Sequence, residues 1–307
     1  MTNASRRQFL AAAAACGSLS FGTNFGSSIG AAMEPIKRVG PAQFKFSMAA
    51  YSYRDWLTGK KGNLTLEDFI QDCAKLGLEG TELTSYYFPE STTPEYLRSL
   101  KSLCFREGLS ISGTAIRDEL CLPKGEARDL QIAHVKKWID YAEILGAPVI
   151  RIFSGNAKKD QSPEEAHRLA VEGMEECCDY AGKHGVFLAL ENHGGLTETV
   201  DGMMELIHAV KSPWFAVNLD SGNFHGEDPY ADLAKIAPYA LNVQIKVVIH
   251  RGGPKKSTPP EPSDYKKLAK MMKDVGYRGF IVLEYEESGD PREECPKILK
   301  ELREAFV

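Results

Sequence analysis

The stretch Val-Phe-Leu-Ala-Leu-Glu-Asn-His-Gly-Gly, residues 186–195, runs from five apolar residues directly into a carboxylate and, two positions later, an imidazole. A short apolar run bounded by glycines is typical of a buried β-strand. Because successive side chains on a strand point to opposite faces, Glu191 and His193 are expected to share one face where the strand ends. The stretch therefore predicts a buried strand that brings two titratable side chains to one site.

The same arrangement recurs along the chain from residue 44 onward. Short apolar runs alternate with stretches of helical period, and glycines such as Gly77 and Gly146 stand where helices would stop. The predicted strands are 44–50, 80–84, 110–115, 149–153, 186–191, 215–220, 242–247 and 280–284. The predicted helices are 65–76, 94–107, 130–145, 164–184, 200–210, 230–236, 264–275 and 296–305.

This alternation of eight strands and eight helices predicts a parallel sheet covered by helices. Eight such units in roughly 260 residues fit a closed (β/α)8 TIM barrel of class α/β, forming a single domain. An open doubly wound sheet is the alternative. That fold usually carries a glycine-rich turn after its first strand, and Ala-Ala-Tyr-Ser-Tyr at 49–53 is not such a turn.

The overall composition excludes some classes of protein. The chain has 307 residues, of which 43% are hydrophobic and 26% charged, as in an ordinary globular protein. The formal net charge of -5 gives no electrostatic reason to expect a nucleic-acid partner. The six cysteines after residue 32 form no Cys-x-x-Cys pair, so paired metal-binding thiolates are not expected.

The N-terminal segment differs from the rest of the chain. Ser-Arg-Arg-Gln-Phe-Leu at 5–10 precedes an alanine-rich apolar run and resembles a twin-arginine (Tat) export signal. We predict a signal peptide at 1–32, a linker at 33–43 and the barrel at 44–307. The predicted partner is the Tat export machinery, and the predicted location is periplasmic or otherwise extracytoplasmic. Cleavage near Gly-Ala-Ala at 30–32 and retention as an uncleaved anchor both remain open.

Oxygen-bearing side chains stand at the ends of the last four predicted strands: Glu191, Asp220, Gln244 and Glu284. In a barrel these strand ends meet at the carboxyl-terminal face, where catalytic groups lie. Three carboxylates brought together would repel each other, and a divalent cation removes that repulsion. Oxygen ligands suit Mn²⁺, Mg²⁺ or Co²⁺ better than Zn²⁺. We therefore predict one divalent metal ion held by these four side chains.

Four motifs carry a resemblance to a known family: Glu-Asn-His at 191–193, Asn-Leu-Asp-Ser-Gly-Asn-Phe at 218–224, Val-Gln-Ile-Lys at 243–246 and Leu-Glu-Tyr-Glu at 283–286. Together they resemble the xylose-isomerase-like TIM-barrel family of sugar phosphate isomerases and epimerases, over about 44–305. That family usually has His where this chain has Gln244, although some dehydratase-like members are similar in using Gln. The Asp that commonly follows the lysine is Val247 here. The resemblance implies that Glu191 and Glu284 flank the substrate, each as a metal ligand and an acid/base.

Further side chains at strand ends and in loops are candidates for binding the substrate: His193, Arg151, Lys246, Glu82, His225 and His250. Arg151 is equally compatible with a structural ion pair. The proline-rich loop at 250–263 is placed to act as a lid or a substrate clamp. The aromatic residues at 51–56 suit the apolar faces of a sugar, but they also suit a subunit contact in a homo-oligomer.

These observations predict a divalent-metal-dependent isomerase or epimerase of a keto sugar, acting by proton transfer through an enediolate. The alternative is a metal-dependent lyase or dehydratase of a 3-keto sugar or a 3-dehydroshikimate-like substrate, which would expel a β-oxygen from the same site. A non-catalytic sugar-binding barrel would have no need of the three carboxylates. An endonuclease-IV-like enzyme would need more loop histidines than this chain has.

Overall fold

The computed structural model describes residues 32–253 and 259–307. The predicted export signal at 1–32 lies outside this part of the chain except for Ala32, and so do residues 254–258 of the predicted lid loop. Within the described ranges, no helix combines the length and the apolar character needed to cross a bilayer.

Eight parallel strands form the sheet. They are β1 (Gln43–Met48), β2 (Gly80–Thr84), β3 (Ser110–Ala115), β4 (Val149–Ile152), β5 (Phe187–Glu191), β6 (Phe215–Asp220), β7 (Ala240–Ile245) and, after the short antiparallel pair β8 (Val248–Ile249) and β9 (Glu261–Pro262), β10 (Arg278–Leu283). Their order in the sheet is β1-β10-β7-β6-β5-β4-β3-β2. An isolated parallel bridge between Ala49 and Glu82 joins the two ends, so the sheet is a nearly closed TIM barrel, as predicted.

Nine α-helices in the described ranges surround the strands. They are α1 (Arg54–Leu57), α2 (Leu66–Lys75), α3 (Pro94–Arg106), α4 (Glu126–Leu145), α5 (Pro163–Lys183), α6 (Val200–Ala209), α7 (Pro229–Ile236), α8 (Tyr265–Asp274) and α9 (Pro291–Phe306). Side-chain caps start several of them. The hydroxyl of Thr65 accepts from the backbone of Asp68, and the carboxylate of Asp68 accepts from the backbone of Thr65, which forms a capping box at the start of α2.

The strands contribute to two separate packing regions because their side chains alternate. Leu188 and Leu190 of β5 join the main hydrophobic core. Ala189 belongs to a small separate cluster with Val149 and Ala216, at positions of the same parity as Glu191. The inward-facing side chains of β4, β5 and β6 are thus small and apolar near the amino ends of the strands and polar near their carboxyl ends.

Several element boundaries differ from the sequence-based expectation; helix α4, for example, begins at Glu126 instead of residue 130. Helix α9 begins at Pro291 instead of residue 296, because the Asp290 carboxylate caps it by accepting from the backbone of Arg292 and Pro291 occupies its first position. Pro296 therefore lies inside the helix. Strand β7 ends at Ile245, which places Lys246 just beyond the strand. The one-turn helix α1 and the β8–β9 pair were not predicted.

The loop after β5 depends on glycine at position 195. Gly195 has a φ of 55°, and a Cβ there would lie 2.4 Å from the carbonyl oxygen of Gly155. We expect Gly195→Ala to destabilise the fold by about 1–2 kcal/mol through left-handed strain, with roughly 1–3 kcal/mol more from the clash. Urea unfolding measures the loss. Gly185→Ala is the control, since Gly185 has a φ of 68° and open space around its Cβ position. Equal losses in the two variants would contradict the predicted clash.

Candidate active site

The four predicted metal ligands all lie at the carboxyl-terminal end of the barrel. Glu191 and Asp220 are the last residues of β5 and β6, and Glu284 directly follows β10. Gln244 pairs with Asp220 across the β6–β7 ladder. All four are buried, with exposed fractions between 0% and 6%. The expected convergence of these strand ends at one face of the barrel is therefore present.

Glu191 is held by two neighbours. The Nε atom of Arg151 lies 2.8 Å from Oε2 of Glu191, and the side-chain amide of Asn223 donates to Oε1 at 2.9 Å. Arg151 in turn donates to the carbonyl oxygen of Ile116 at 2.6 Å. Burial raises the pKa of Glu191, and the Arg151 guanidinium opposes that rise. Arg151 therefore forms an ion pair and also fixes the orientation of the carboxylate.

The ammonium group of Lys246 lies among three carboxylates. Its Nζ atom is 3.3 Å from Oδ2 of Asp220 and 2.6 Å from Oε1 of Glu286, and it also contacts Oε2 of Glu284. Burial lowers the pKa of Lys246, but these carboxylates outweigh burial and raise it well above its ordinary value. The charged ammonium is thus the cation that these carboxylates share.

A ring of hydrogen bonds fills the barrel interior beneath this group. The Gln244 amide donates to Oε1 of Glu82 at 2.8 Å, and Asn242 donates to Oε2 of Glu82 at 2.9 Å. Asn242 also donates to Asn218 at 2.8 Å, and Asn218 donates to Oε1 of Gln244 at 2.6 Å. Because β2 and β7 are not neighbours in the sheet, the hydrogen bonds that the Glu82 carboxylate accepts cross the barrel interior. Burial raises the pKa of Glu82 to about 7.

This ring defines the environment of Gln244 and Glu82. A carbonyl oxygen has two lone pairs, so the bond from Asn218 leaves one lone pair on Gln244 Oε1. The predicted ligand role of Gln244 stays a prediction, as does a substrate contact for Glu82, whose carboxylate oxygens both accept from amides of the ring.

A cavity of about 590 Å³ opens above the carboxylates. Five of the predicted site residues line it: Glu191, Glu284, Arg151, His193 and Lys246. The ring of His193 lies against that of Phe153, with centroids 4.5 Å apart and the planes tilted by 37°, and burial lowers the pKa of His193. The cavity therefore has acidic, basic and aromatic walls.

The two loop histidines lie outside this lining. His250 lines a smaller neighbouring cavity of about 210 Å³, which also touches Lys246 and Glu286. The rings of His225 and His250 are 6.0 Å apart. Their predicted substrate contacts stay predictions.

Sequence reasoning missed several lining residues. Glu286 follows Glu284 by two positions, so the alternation argument that paired Glu191 with His193 would also have selected it. Asn223 stands in the quoted motif at 218–224 but was not assigned a role. Tyr86 lies in a short 3-10 helix after β2 and Arg117 in the irregular segment after β3, where no strand alternation indicates direction.

The donor chemistry at the barrel mouth fits a divalent cation. Asp220 Oδ2 is buried and, apart from the ion-pair contact with the Lys246 ammonium 3.3 Å away, has no hydrogen-bond partner within the described ranges. The cavity lining and the buried residues beneath it carry more acidic than basic side chains: Glu82, Asp118, Glu119, Glu191, Asp220, Glu284 and Glu286 against Arg117, Arg151 and Lys246. No three His, Cys, Asp or Glu side chains among the described residues are arranged as a ready-made metal site. An ion there would replace the contacts that the Lys246 ammonium makes.

Known proteins share this fold and parts of this sequence. A sequence model of the family described as xylose isomerase-like TIM barrel matches residues 70–305. The 3-dehydroshikimate dehydratase of Bacillus anthracis is 22% identical over 205 residues, which are 66% of this chain and 71% of that protein. The L-ribulose-5-phosphate 3-epimerase of Escherichia coli is 25% identical over 176 residues, 56% of this chain and 61% of the epimerase.

A solved structure supports the same assignment of the fold. The D-psicose 3-epimerase of Clostridium cellulolyticum H10, solved with D-tagatose, superposes with a TM-score of 0.67 at 16% identity. The superposition covers 85% of this chain and 99% of the epimerase chain. Because the family model spans most of the barrel, the chain belongs to the xylose isomerase-like TIM barrel family.

Proposed function

We propose that this protein is a divalent-metal-dependent isomerase or epimerase of a keto sugar. The observation that carries the proposal is the placement of Glu191 and Glu284, which line one cavity from strands β5 and β10, separated in the sheet by β6 and β7. Two carboxylates that reach a substrate from different sides can remove a proton and return it at another position. The epimerases among the relatives support this class of reaction.

The chain's own residues supply the acid/base groups and hold them in place. Glu191 removes the proton next to the carbonyl, while Arg151 and Asn223 fix the orientation of its carboxylate. Glu284, protonated at this stage, donates its proton from the other wall, so that one turnover leaves Glu191 protonated and Glu284 ionised. A Mn²⁺, Mg²⁺ or Co²⁺ ion held by Glu191, Asp220, Glu284 and Gln244 would polarise the carbonyl and stabilise the negative charge of the enediolate.

A second candidate function is a lyase or dehydratase that uses the same acid/base pair to expel a β-oxygen. The dehydratase among the relatives favours it, as does Gln244 in place of the usual histidine. Its substrate would be a 3-keto sugar or a 3-dehydroshikimate-like acid.

One experiment separates the two reactions. The protein, supplied with MnCl₂, is incubated in ²H₂O with D-psicose, D-tagatose, D-fructose, a 3-keto-glucoside and 3-dehydroshikimate. Isomerisation or epimerisation places deuterium on a carbon without loss of any group. Elimination gives a conjugated product that absorbs in the ultraviolet. If no compound exchanges hydrogen or loses oxygen, both reactions are wrong for this set of substrates.

Glu284→Gln removes the proposed acid/base while keeping the size of the side chain. We expect the rate of deuterium exchange to fall by about 100-fold or more, because a positioned acid/base group contributes on that scale. The thermal unfolding midpoint is expected to stay close to that of the parent protein. Glu293→Gln is the matched control, since Glu293 is exposed in the first turn of α9. Exchange at most of the parent rate would remove Glu284 from the mechanism.

Lys246→Gln removes the ammonium group that contacts Asp220, Glu284 and Glu286. The carboxylates then lack their shared cation, so we expect Mn²⁺ to bind roughly tenfold more tightly, about 1.4 kcal/mol. Isothermal titration with MnCl₂ measures the change, and Lys235→Gln on the exposed side of α7 is the control. Weaker or unchanged binding would show that Lys246 does not compete with the ion.

Gln244→His tests whether this position holds the ion. Imidazole is the better ligand for transition metals, so we expect Mn²⁺ and Co²⁺ to bind more tightly to the variant. Gln131→His is the control, because Gln131 lines the same cavity from helix α4. Unchanged metal affinity in Gln244→His would mean that Gln244 is not a ligand.

The proposal includes export to the periplasm, supported by the twin arginines at positions 6 and 7. We expect replacement of both arginines by lysine to retain the protein in the cytoplasm, which fractionation and immunoblotting would show. Replacement of Lys37 and Arg38 by glutamine is the control. Export of the double lysine variant at the parent level would contradict a Tat route.

A further inference from the structure

The main cavity of about 590 Å³ shares lining residues with a second cavity, which we call the outer cavity. This outer cavity measures about 370 Å³ and is lined by Tyr51, Arg54, Thr58, Lys60, Tyr86, Tyr87 and Arg117. A third cavity, of about 290 Å³, adjoins these two. Tyr86 and Arg117 line all three spaces, and Tyr51 lines the main and outer ones. The space available to a ligand therefore extends well beyond the carboxylates.

Three tyrosines form the aromatic wall of the outer cavity. The rings of Tyr51 and Tyr86 are 6.2 Å apart and those of Tyr86 and Tyr87 are 6.1 Å apart, in both cases edge to face. Apolar C–H groups on one face of a sugar ring pack well against such aromatic surfaces. The polar groups around the rings are the side chains of Arg54, Lys60, Arg117 and Thr58, which offer hydrogen-bond donors to hydroxyl or carboxylate oxygens. The lining contains no Asp or Glu.

Contacts with the acidic centre hold this wall in place. Arg151, which pairs with Glu191, also lies 3.4 Å from the hydroxyl of Tyr86. Arg54 donates to the carbonyl oxygens of Tyr285 and Glu286, at 2.9 and 2.6 Å, and lies over the ring of Tyr51. The walls of the outer cavity are therefore held by the same residues that contact the acid/base pair and its neighbours.

Arg117 differs from the other two cations of the outer cavity. Lys60 pairs with Asp55, and Arg54 donates to two backbone carbonyl oxygens. The Arg117 guanidinium lies 5.3 Å from the ring centre of Tyr86 and forms no ion pair within the described part of the chain. The residue is exposed. It can therefore donate to a ligand that covers Tyr86 without first breaking a charge contact.

We infer that the substrate is a glycoside with at least two sugar rings. On the proposed function, the reacting ring lies in the main cavity beside Glu191 and Glu284, and the second ring packs on Tyr86 in the outer cavity with Arg117 donating to its oxygens. Pockets of about 300–1,000 Å³ enclose drug-sized ligands, and the main cavity alone falls in that range. One sugar ring is smaller than such a ligand, so the adjoining cavities suit a longer substrate.

Binding measurements test this without any need for turnover. The full chain is titrated with D-glucose, cellobiose, maltose and lactose, and saturation-transfer NMR reports which ring contacts the protein. We expect at least one disaccharide to bind roughly tenfold more tightly than glucose, with saturation on both rings. Arg117→Gln is expected to remove most of that advantage and to reduce saturation of the second ring. Tyr86→Ala is expected to reduce the disaccharide affinity in the same way. Tyr86→Phe keeps the aromatic ring and is expected to retain the higher affinity for the disaccharide.

The controls separate the possible outcomes. Arg98→Gln, on the exposed face of α3, is expected to leave the ratio of disaccharide to glucose affinity unchanged. If no disaccharide binds more tightly than glucose, the inference is wrong. If Arg117→Gln and Tyr86→Ala both keep the full ratio, the second ring does not lie in the outer cavity. A disaccharide preference without deuterium exchange would instead contradict the proposed reaction and leave the subsite standing.

Discussion

The structure is organised around an excess of buried carboxyl groups over basic groups at one end of the barrel. Three positions on the carboxyl-terminal face, at the ends of β5, β6 and β10, carry carboxyl groups that are almost fully buried. Charges in such a position are costly unless they are paired. Arg151 pairs with Glu191, and Lys246 is shared among Asp220, Glu284 and Glu286. Two cations hold the group together without neutralising it, which is the electrostatic condition that attracts a further cation.

The polar barrel interior explains how these groups are kept in position. Most TIM barrels fill the interior with branched apolar residues. Here Glu82, Asn218, Asn242 and Gln244 bond to one another in a closed set, with the amide and carboxylate contacts between 2.6 and 2.9 Å. Buried polar groups add rigidity only when all of them are satisfied. These four hydrogen-bonded side chains form a rigid layer beneath the cavity. Gln244 connects this layer to Asp220, its partner in the β6–β7 ladder.

The barrel and much of the candidate site could be predicted from the sequence, because they follow from the order of the elements and from the alternation of side chains along each strand. The apolar run before Glu191 fixed both the existence of a strand and the side on which Glu191 and His193 would lie, and five of the predicted site residues line one cavity. What was not predictable depends on contacts between distant segments. No local pattern shows that Gln244 would reach Glu82 across the barrel. Tyr86 lies in a one-turn 3-10 helix and Arg117 in an irregular segment, and the direction of both is set by the barrel and not by their neighbours in sequence.

The position of Glu82 links the closure of the barrel to its interior. The backbone of Glu82 bridges to Ala49 where the first and second strands meet, and its side chain accepts from Asn242 and Gln244 on the opposite wall. Glu82 therefore joins the two strands that close the barrel and also connects to the far side of the barrel interior. Separation of the first and second strands would move the Glu82 carboxylate away from both amides. The barrel therefore could not open between these strands without breaking the hydrogen bonds beneath the cavity.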